Sequence, residues 1–331
     1  MGSDQACPGS ASGEAAESRI ILQSDGKDCF RDALEESRAK CRAIAKESRE
    51  NFLVVTCLLP REYRQPFCDV YAFCRTADDR ADESAGPQEA MAALNEYRQS
   101  VAKIYSGESP GDAGDGIFVA LAETIRKHSI PRSCLDDLLD AFVQDQTVFG
   151  YDDEEALLDY CRRSANPVGR MILRMADSDD EENLLASDEI CTALQLANFW
   201  QDVSRDRLIG RVYIPRTIMQ QFGFDESLIR DGLAGGDSTP NYVRQSIQFL
   251  CQQTRERFHR GAVLIDRVPA WLSADLRLFV QGGLATLDAI EAIQYDVLRT
   301  RPVVHRRTQA KLLLGAMWQR LIRGRASSEV A

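Results

Sequence analysis

What most limits the folds open to this chain is a pair of acid rows set at helical spacing. In residues 191–206, CTALQLANFWQDVSRD, a helix would stack Asn198, Asp202 and Asp206 along one face with Gln195 a turn earlier, leaving Leu196, Phe199 and Val203 on another. In residues 67–83, FCDVYAFCRTADDRADE, the same test puts Tyr71, Arg75, Asp78, Asp79 and Asp82 on one face and Val70, Phe73, Ala77 and Ala81 on an apolar side. Like charges four apart weaken a helix, and a partly buried carboxylate costs more unless a cation answers it. A lone acid pair is ordinarily solvated surface. Two rows, each inside an aromatic-rich helix, point instead to a shared counter-ion. The donors are oxygens, with no histidine or cysteine among them, which suits a hard ion such as Mg²⁺ completed by water and phosphate oxygens. The expected ligand is therefore a diphosphate bridged by magnesium.

The rest of the composition agrees with such a site and excludes others. With 331 residues, 44% of them hydrophobic, the chain can bury a sizeable core, and no shift in composition divides it. A net charge of −11 argues against nucleic acid as a partner, since a phosphate-binding surface needs clustered Lys and Arg. The ten cysteines include no CxxC, and His128, His259 and His305 are far apart, so no zinc site is expected. Cys57, Cys68, Cys74, Cys161 and Cys191 fall in apolar helical stretches where a thiol behaves as a small hydrophobe; with no secretory signal, a cytoplasmic location is expected.

Along the chain, residues 1–27 lack apolar periodicity and read as a disordered leader, 28–325 as one helical domain and 326–331 as a tail. Ser133 is the expected cap of the helix carrying Leu135, Leu138 and Leu139. Pro167 inside residues 160–175 predicts a kink, and 270–298 reads as one long helix. The last helix, 311–325, is too short and too charged to span a bilayer. No alternating β pattern and no GxGxxG or Walker loop appears. The fold expected is all-α, a single-domain bundle around a central cavity.

YAFCRTADDRADE and QLANFWQDVSRDRLIGRVYIP resemble the two aspartate-rich signatures of the squalene/phytoene synthase family, and the likeness runs from about Glu50 to Lys311. ENF at 50–52, YCRRSANPVGR at 160–170 and ALQLANFWQDV at 193–203 resemble the bacterial hopanoid-pathway branch that makes hydroxysqualene from presqualene diphosphate. The resemblance implies an isoprenoid-synthase-like bundle in which Asp78, Asp79 and Asp82 face Asn198, Asp202 and Asp206 and hold two or three Mg²⁺ ions. It implies Tyr71, Tyr160 and Tyr213 as catalytic tyrosines. Arg75 and Gln195 would grip the diphosphate, with Phe52, Tyr295 and one of Arg299, Arg306 or Arg307, of which Arg307 is chosen, also on the substrate. NADPH is not expected, because water rather than hydride ends this branch. A prenyl diphosphate is the implied substrate; peripheral membrane contact for product release and neighbouring pathway enzymes are the other partners considered. Two alternatives stand beside this reading: head-to-head condensation of two prenyl diphosphates, and a non-catalytic assembly protein on the same fold, which would be expected to lose acids that are intact here.

Overall fold

The computed structural model of the protein describes residues 13–47, 59–110, 115–233 and 238–304, with side chains from Phe30 onward. Twelve α-helices follow one another among these residues: α1 Gly13–Glu47, α2 Arg61–Asp82, α3 Pro87–Ser106, α4 Phe118–His128, α5 Arg132–Gln144, α6 Glu154–Ser164, α7 Asn166–Met175, α8 Glu181–Asp206, α9 Arg216–Gln221, α10 Glu226–Asp231, α11 Asn241–Gly261 and α12 Ala270–Ala292. The one β feature described is an isolated parallel bridge between Gly150 and Val212, so the all-α expectation holds. No described helix is long and apolar enough to cross a membrane.

Local chemistry sets the helix ends. Asp180 caps α8 by accepting from the Asn183 amide at 3.0 Å, and Asp153 caps α6 by accepting from the Ala156 amide at 2.9 Å. The expected cap at Ser133 is displaced: α5 starts at Arg132 behind Pro131, whose fixed φ of −66° leads directly into the first turn. Pro167 does not kink a continuous helix either. The chain breaks at Ala165, and Pro167 sits in the first turn of α7, where its missing amide has no helical partner to lose. The helix read over 270–298 stops at Ala292, because Gln294 and Tyr295 take left-handed φ values of 54° and 60°. At the other end α1 begins at Gly13, inside the stretch read as a disordered leader; GEAAES is rich in Ala and Glu, strong helix formers that extend the helix without an apolar period. The readings at Phe52, Arg306, Arg307 and 311–325 lie outside the described residues.

Two apolar clusters fill the bundle. One gathers Phe73, Tyr97, Phe118 and Leu135 around α2 to α5, and the other gathers Phe199, Trp200, Leu250, Phe258 and Leu287 around α8, α11 and α12. Ile172 and Trp271 pack against both, and Trp271 stacks on Tyr63 with ring centroids 4.4 Å apart. The acid-bearing helices α2 and α8 both pack on α7. Gly261 lets α11 lie close on α8, since a methyl there would stand 2.8 Å from the Ala186 carbonyl oxygen and 2.6 Å from the Ile190 side chain. This fixes α8 as the central rod, with its acid row at the end where the chain turns back.

Candidate active site

The first acid row occupies the last turns of α2, whose opposite face buries Phe67, Val70, Phe73, Ala77 and Ala81 as the pattern requires. Arg75 is turned onto its own helix. Its Nη2 lies 2.6 Å and its Nε 3.1 Å from the two Asp79 oxygens, with Nη1 at 3.9 Å from Asp78. Asp82 is the most open of the three acids, its side chain 59% exposed, against 46% for Asp78 and 34% for Asp79. Burial, with Asp82 next and Arg75 opposing, pushes the Asp78 carboxyl up to about 6. Tyr71, half-buried a turn earlier, adds its field to Arg75. Arg80 points elsewhere, pairing with Asp115 at 3.0 Å.

The second row is held from far away in sequence. Arg301 clasps both Asp202 oxygens, Nη2 to Oδ2 at 3.2 Å, and also reaches Gln201 Oε1 at 3.3 Å. Buried Gln201 in turn donates to the Pro302 carbonyl at 2.9 Å, fixing the segment that carries Arg301. Asp206 is pushed up to about 7, first by burial and then by Asp202, with Arg211, Arg301 and Arg205 opposing. Asn198 is exposed and Gln195 half-buried on the turns before.

Arg211 stands between the rows. Gly210, left-handed at φ 77°, turns the chain back, and the Arg211 amide bonds the Asp206 carbonyl at 2.9 Å while the Val212 amide bonds Phe149 at 2.8 Å. The guanidinium then lies 3.8 Å from Asp82 on α2 and 3.4 Å from the Asp145 carbonyl oxygen, and its field reaches Asp78, Asp145 and Asp206. Acids from α2 and α8 thus share one arginine.

Beside it lies a wall of rings. Tyr213 stacks on Phe199 with centroids 3.7 Å apart, Tyr160 stands 6.2 Å from each, and Tyr151 lies 5.6 Å from Tyr160. Burial, then the Asp145 charge, drives the Tyr160, Tyr213 and Tyr151 hydroxyls far upward, so they remain protonated donors. Tyr160 donates to Asp145 Oδ2 at 2.9 Å. Burial raises Asp145 to about 6, with Arg211 and the Tyr160 hydrogen bond opposing. Among the described residues no hydrogen bond engages its other oxygen.

The structure therefore brings Asp78, Asp79, Asp82, Arg75 and Tyr71 to one side, Gln195, Asn198, Asp202 and Asp206 to the other, and Tyr160 and Tyr213 to the floor between. It does not bring Tyr295 there, whose field comes from Glu291, Cys251 and Arg255 on α11 and α12. Among the described residues Arg301, not one of the arginines chosen from the sequence, is the C-terminal cation on the α8 row. Arg211, Asp145 and Tyr151 were also missed. Arg211 carried a faint signal, a cation between an αL-prone glycine and Tyr213 in GRVYIP; Asp145 carried none. No three Asp, Glu, His or Cys side chains of the described residues gather closely enough to hold a metal unaided. The cavity against Asp206, Arg211 and Tyr213 measures about 10 Å³, whereas two of about 230 Å³ lie away from the acids, one under Trp200 and Arg257 and one beside Asp69. The chemistry follows the converging charges rather than the volume.

Comparison with known proteins places this geometry. The family pattern described as squalene/phytoene synthase matches residues 45–308. The chain is 38% identical to a hydroxysqualene synthase of Zymomonas mobilis over 64% of this chain and 69% of that one. It is 33% identical to a hydroxysqualene synthase of Sinorhizobium fredii over 69% and 74% of the two chains. The crystal structure of a squalene synthase, HpnC, from Alicyclobacillus acidocaldarius superposes with a TM-score of 0.73 at 38% identity, covering 80% of this chain and 96% of that one.

Proposed function

Because the chain belongs to the squalene/phytoene synthase family, we propose that it converts presqualene diphosphate to hydroxysqualene by ionising the diphosphate, rearranging the carbocation and capturing it with water. The observation that carries this reading is Arg211, held between Asp82 of one acid row and Asp206 of the other, with Tyr160, Tyr213 and Asp145 beside it. An arrangement of opposed acids around a guanidinium is suited to a polyanion arriving with its own cations.

The donor set fits Mg²⁺. It is all oxygen, and burial and crowding raise Asp78 to about 6 and Asp206 to about 7, as expected of carboxylates gathered to receive a cation. Asp78, Asp79 and Asp82 with Asn198, Asp202 and Asp206 would hold two or three such ions. Bound there, magnesium supplies neutralising charge for the departing diphosphate.

The chain's own groups do the rest. Arg75, Arg211 and Arg301, with Gln195, bind the diphosphate oxygens as the carbon–oxygen bond breaks and its electron pair leaves with the diphosphate. The faces of Phe199, Tyr213 and Tyr160 lie along the cation and exclude stray water. A water oxygen then bonds to the rearranged cation, and its proton passes to Asp145 Oδ1, while Tyr160 keeps Oδ2 in place. No reductant enters the balance, so NADPH is not required. Such a substrate and product are suited to an enzyme in the cytoplasm that meets the membrane and its neighbouring pathway enzymes peripherally. Condensation of two prenyl diphosphates, the reading that the squalene synthase at 38% identity favours, comes second, since two relatives at 38% and 33% identity are hydroxysqualene synthases.

The test is to incubate the protein with Mg²⁺ and presqualene diphosphate without NADPH and identify the lipid. Hydroxysqualene is expected; conversion of farnesyl diphosphate alone would overturn the assignment.

A further inference from the structure

Nine large hydrophobic side chains are exposed among the described residues, and they are not scattered evenly. Leu208 is the most exposed, at 73%, and its neighbour Ile209 follows at 62%. Both sit on the single 3₁₀ turn between Asp206 and Arg211, that is, between two groups of the proposed site. Phe149, 44% exposed, lies four residues beyond Asp145 on the adjoining turn. Arg230 ties the two turns together, Nη1 donating to the Gly210 carbonyl at 2.5 Å and Nη2 to the Phe149 carbonyl at 3.4 Å. The Val212 amide bonds Phe149 as well, so the apolar tips are held outward by a rigid base.

Charge adds a second observation. In a chain of net charge −11, Arg205 is exposed at the foot of the tip, beside Asp206, while the half-buried Arg207 lays its guanidinium over Gly232. Isoleucine and leucine presented to water beside an exposed guanidinium are the chemistry of a lipid interface: aliphatic groups enter the acyl boundary and the arginine meets anionic headgroups.

We propose that the turn at 205–209, together with Phe149, is the surface by which this enzyme docks on an anionic bilayer. The end of the proposed site that carries Asp206 and Arg211 then lies at the lipid, so a substrate with long hydrocarbon chains reaches it without crossing water. The inference rests on the functional reading above for its motive, and on exposure and charge for its place.

Flotation of the full chain with vesicles of phosphatidylcholine and phosphatidylglycerol tests it. The unaltered protein floats, and the double variant Leu208→Ser, Ile209→Ser loses on the order of tenfold in vesicle partitioning with an unchanged melting curve. Arg205→Ser weakens binding to the anionic vesicles and leaves binding to pure phosphatidylcholine unchanged. With presqualene diphosphate in detergent micelles the Leu208, Ile209 variant turns over as the parent does; with the substrate in vesicles it falls behind by a similar factor. A parent protein that stays unbound, or a variant that floats equally well, overturns the proposal. Flotation as expected with no turnover in micelles would instead count against the functional reading alone.

Discussion

The two acid rows look alike in sequence and are built differently. The α2 row is answered chiefly from within its own helix, Arg75 meeting Asp79 one turn away on a part-exposed face, and only loosely by Arg211, 3.8 Å from the open Asp82. The α8 row is answered by Arg301, which lies 99 residues from Asp202 and closes on it over a half-buried surface. An exposed pair four residues apart contributes little to stability. A pair that pins the 301–304 segment against α8 ties the site to the tertiary fold. The contrast suggests a division: the α2 row can be altered with loss of chemistry alone, whereas changes in the α8 row also disturb the frame.

The largest effect expected is on turnover. Asp82→Asn and Asp202→Asn should each lower kcat/KM by roughly a thousandfold or more, since charge placement is what the carboxylates supply. The rows should part company in thermal melting. Asp82→Asn leaves Tm where it was, and Asp202→Asn, which strands Arg301, lowers it. Equal melting temperatures for the two would break the comparison.

Next in size is the floor between the rows. Asp145→Asn keeps the shape and loses the proton acceptor, so turnover should fall by about a hundredfold or more. Tyr160→Phe removes only the hydrogen bond that orients it, and about a tenfold loss is expected. Single-turnover kinetics with presqualene diphosphate would measure both. A Tyr160→Phe loss exceeding that of Asp145→Asn would move the principal role from the acid to the phenol.

These two residues also mark how far the sequence could be read. Spacing of three and four is a local property, so the acid rows, their apolar backs and the helical fold were legible, whereas Tyr71, Tyr160 and Tyr213 came as site residues from the family resemblance alone. Arg211 reaches Asp82 only because Gly210 turns the chain back, and Asp145 meets Tyr160 only because α5 and α6 pack together. Arg301 meets Asp202 through a segment placed by Gln201. Nothing in the one-dimensional pattern records those closures. Tyr295 failed for the same reason in reverse: it is near the right residues in sequence, but the left-handed turn at 294–295 aims it toward α11. Ser133 and Pro167 were misread because a neighbouring proline or chain break, one or two residues away, took over the helix end.

A smaller effect separates the rows by pH. Asp78, raised to about 6, and Asp206, raised to about 7, bind protons more tightly in the folded protein than an ordinary carboxyl at 3.8. Their contribution to stability is therefore full below about pH 4 and is lost as the pH rises through 6 and 7. Metal-free protein should melt at a lower temperature at pH 8 than at pH 5.5, with the Asp206 part removed in Asp206→Asn. Mg²⁺ with inorganic diphosphate should flatten the dependence, because the cation then holds the carboxylates ionised. A Tm that rises steadily to pH 8 without metal would contradict the crowding inferred for both rows.

The smallest effect bears most directly on the contrast. Arg75→Gln should change unfolding free energy by no more than about 0.3 kcal/mol, the scale of an exposed pair one helical turn apart. Arg301→Gln should cost about 1 kcal/mol, because Asp202 is left half-buried without its partner and the bond from Gln201 to Pro302 loses its neighbour. Urea denaturation of the two variants resolves a difference of that size when the slopes agree. Both arginines are assigned to the diphosphate, so both variants should raise KM; only Arg301→Gln should also shift the midpoint. If the two midpoints move together, Arg301 is another surface cation and the α8 row is no more embedded in the fold than the α2 row.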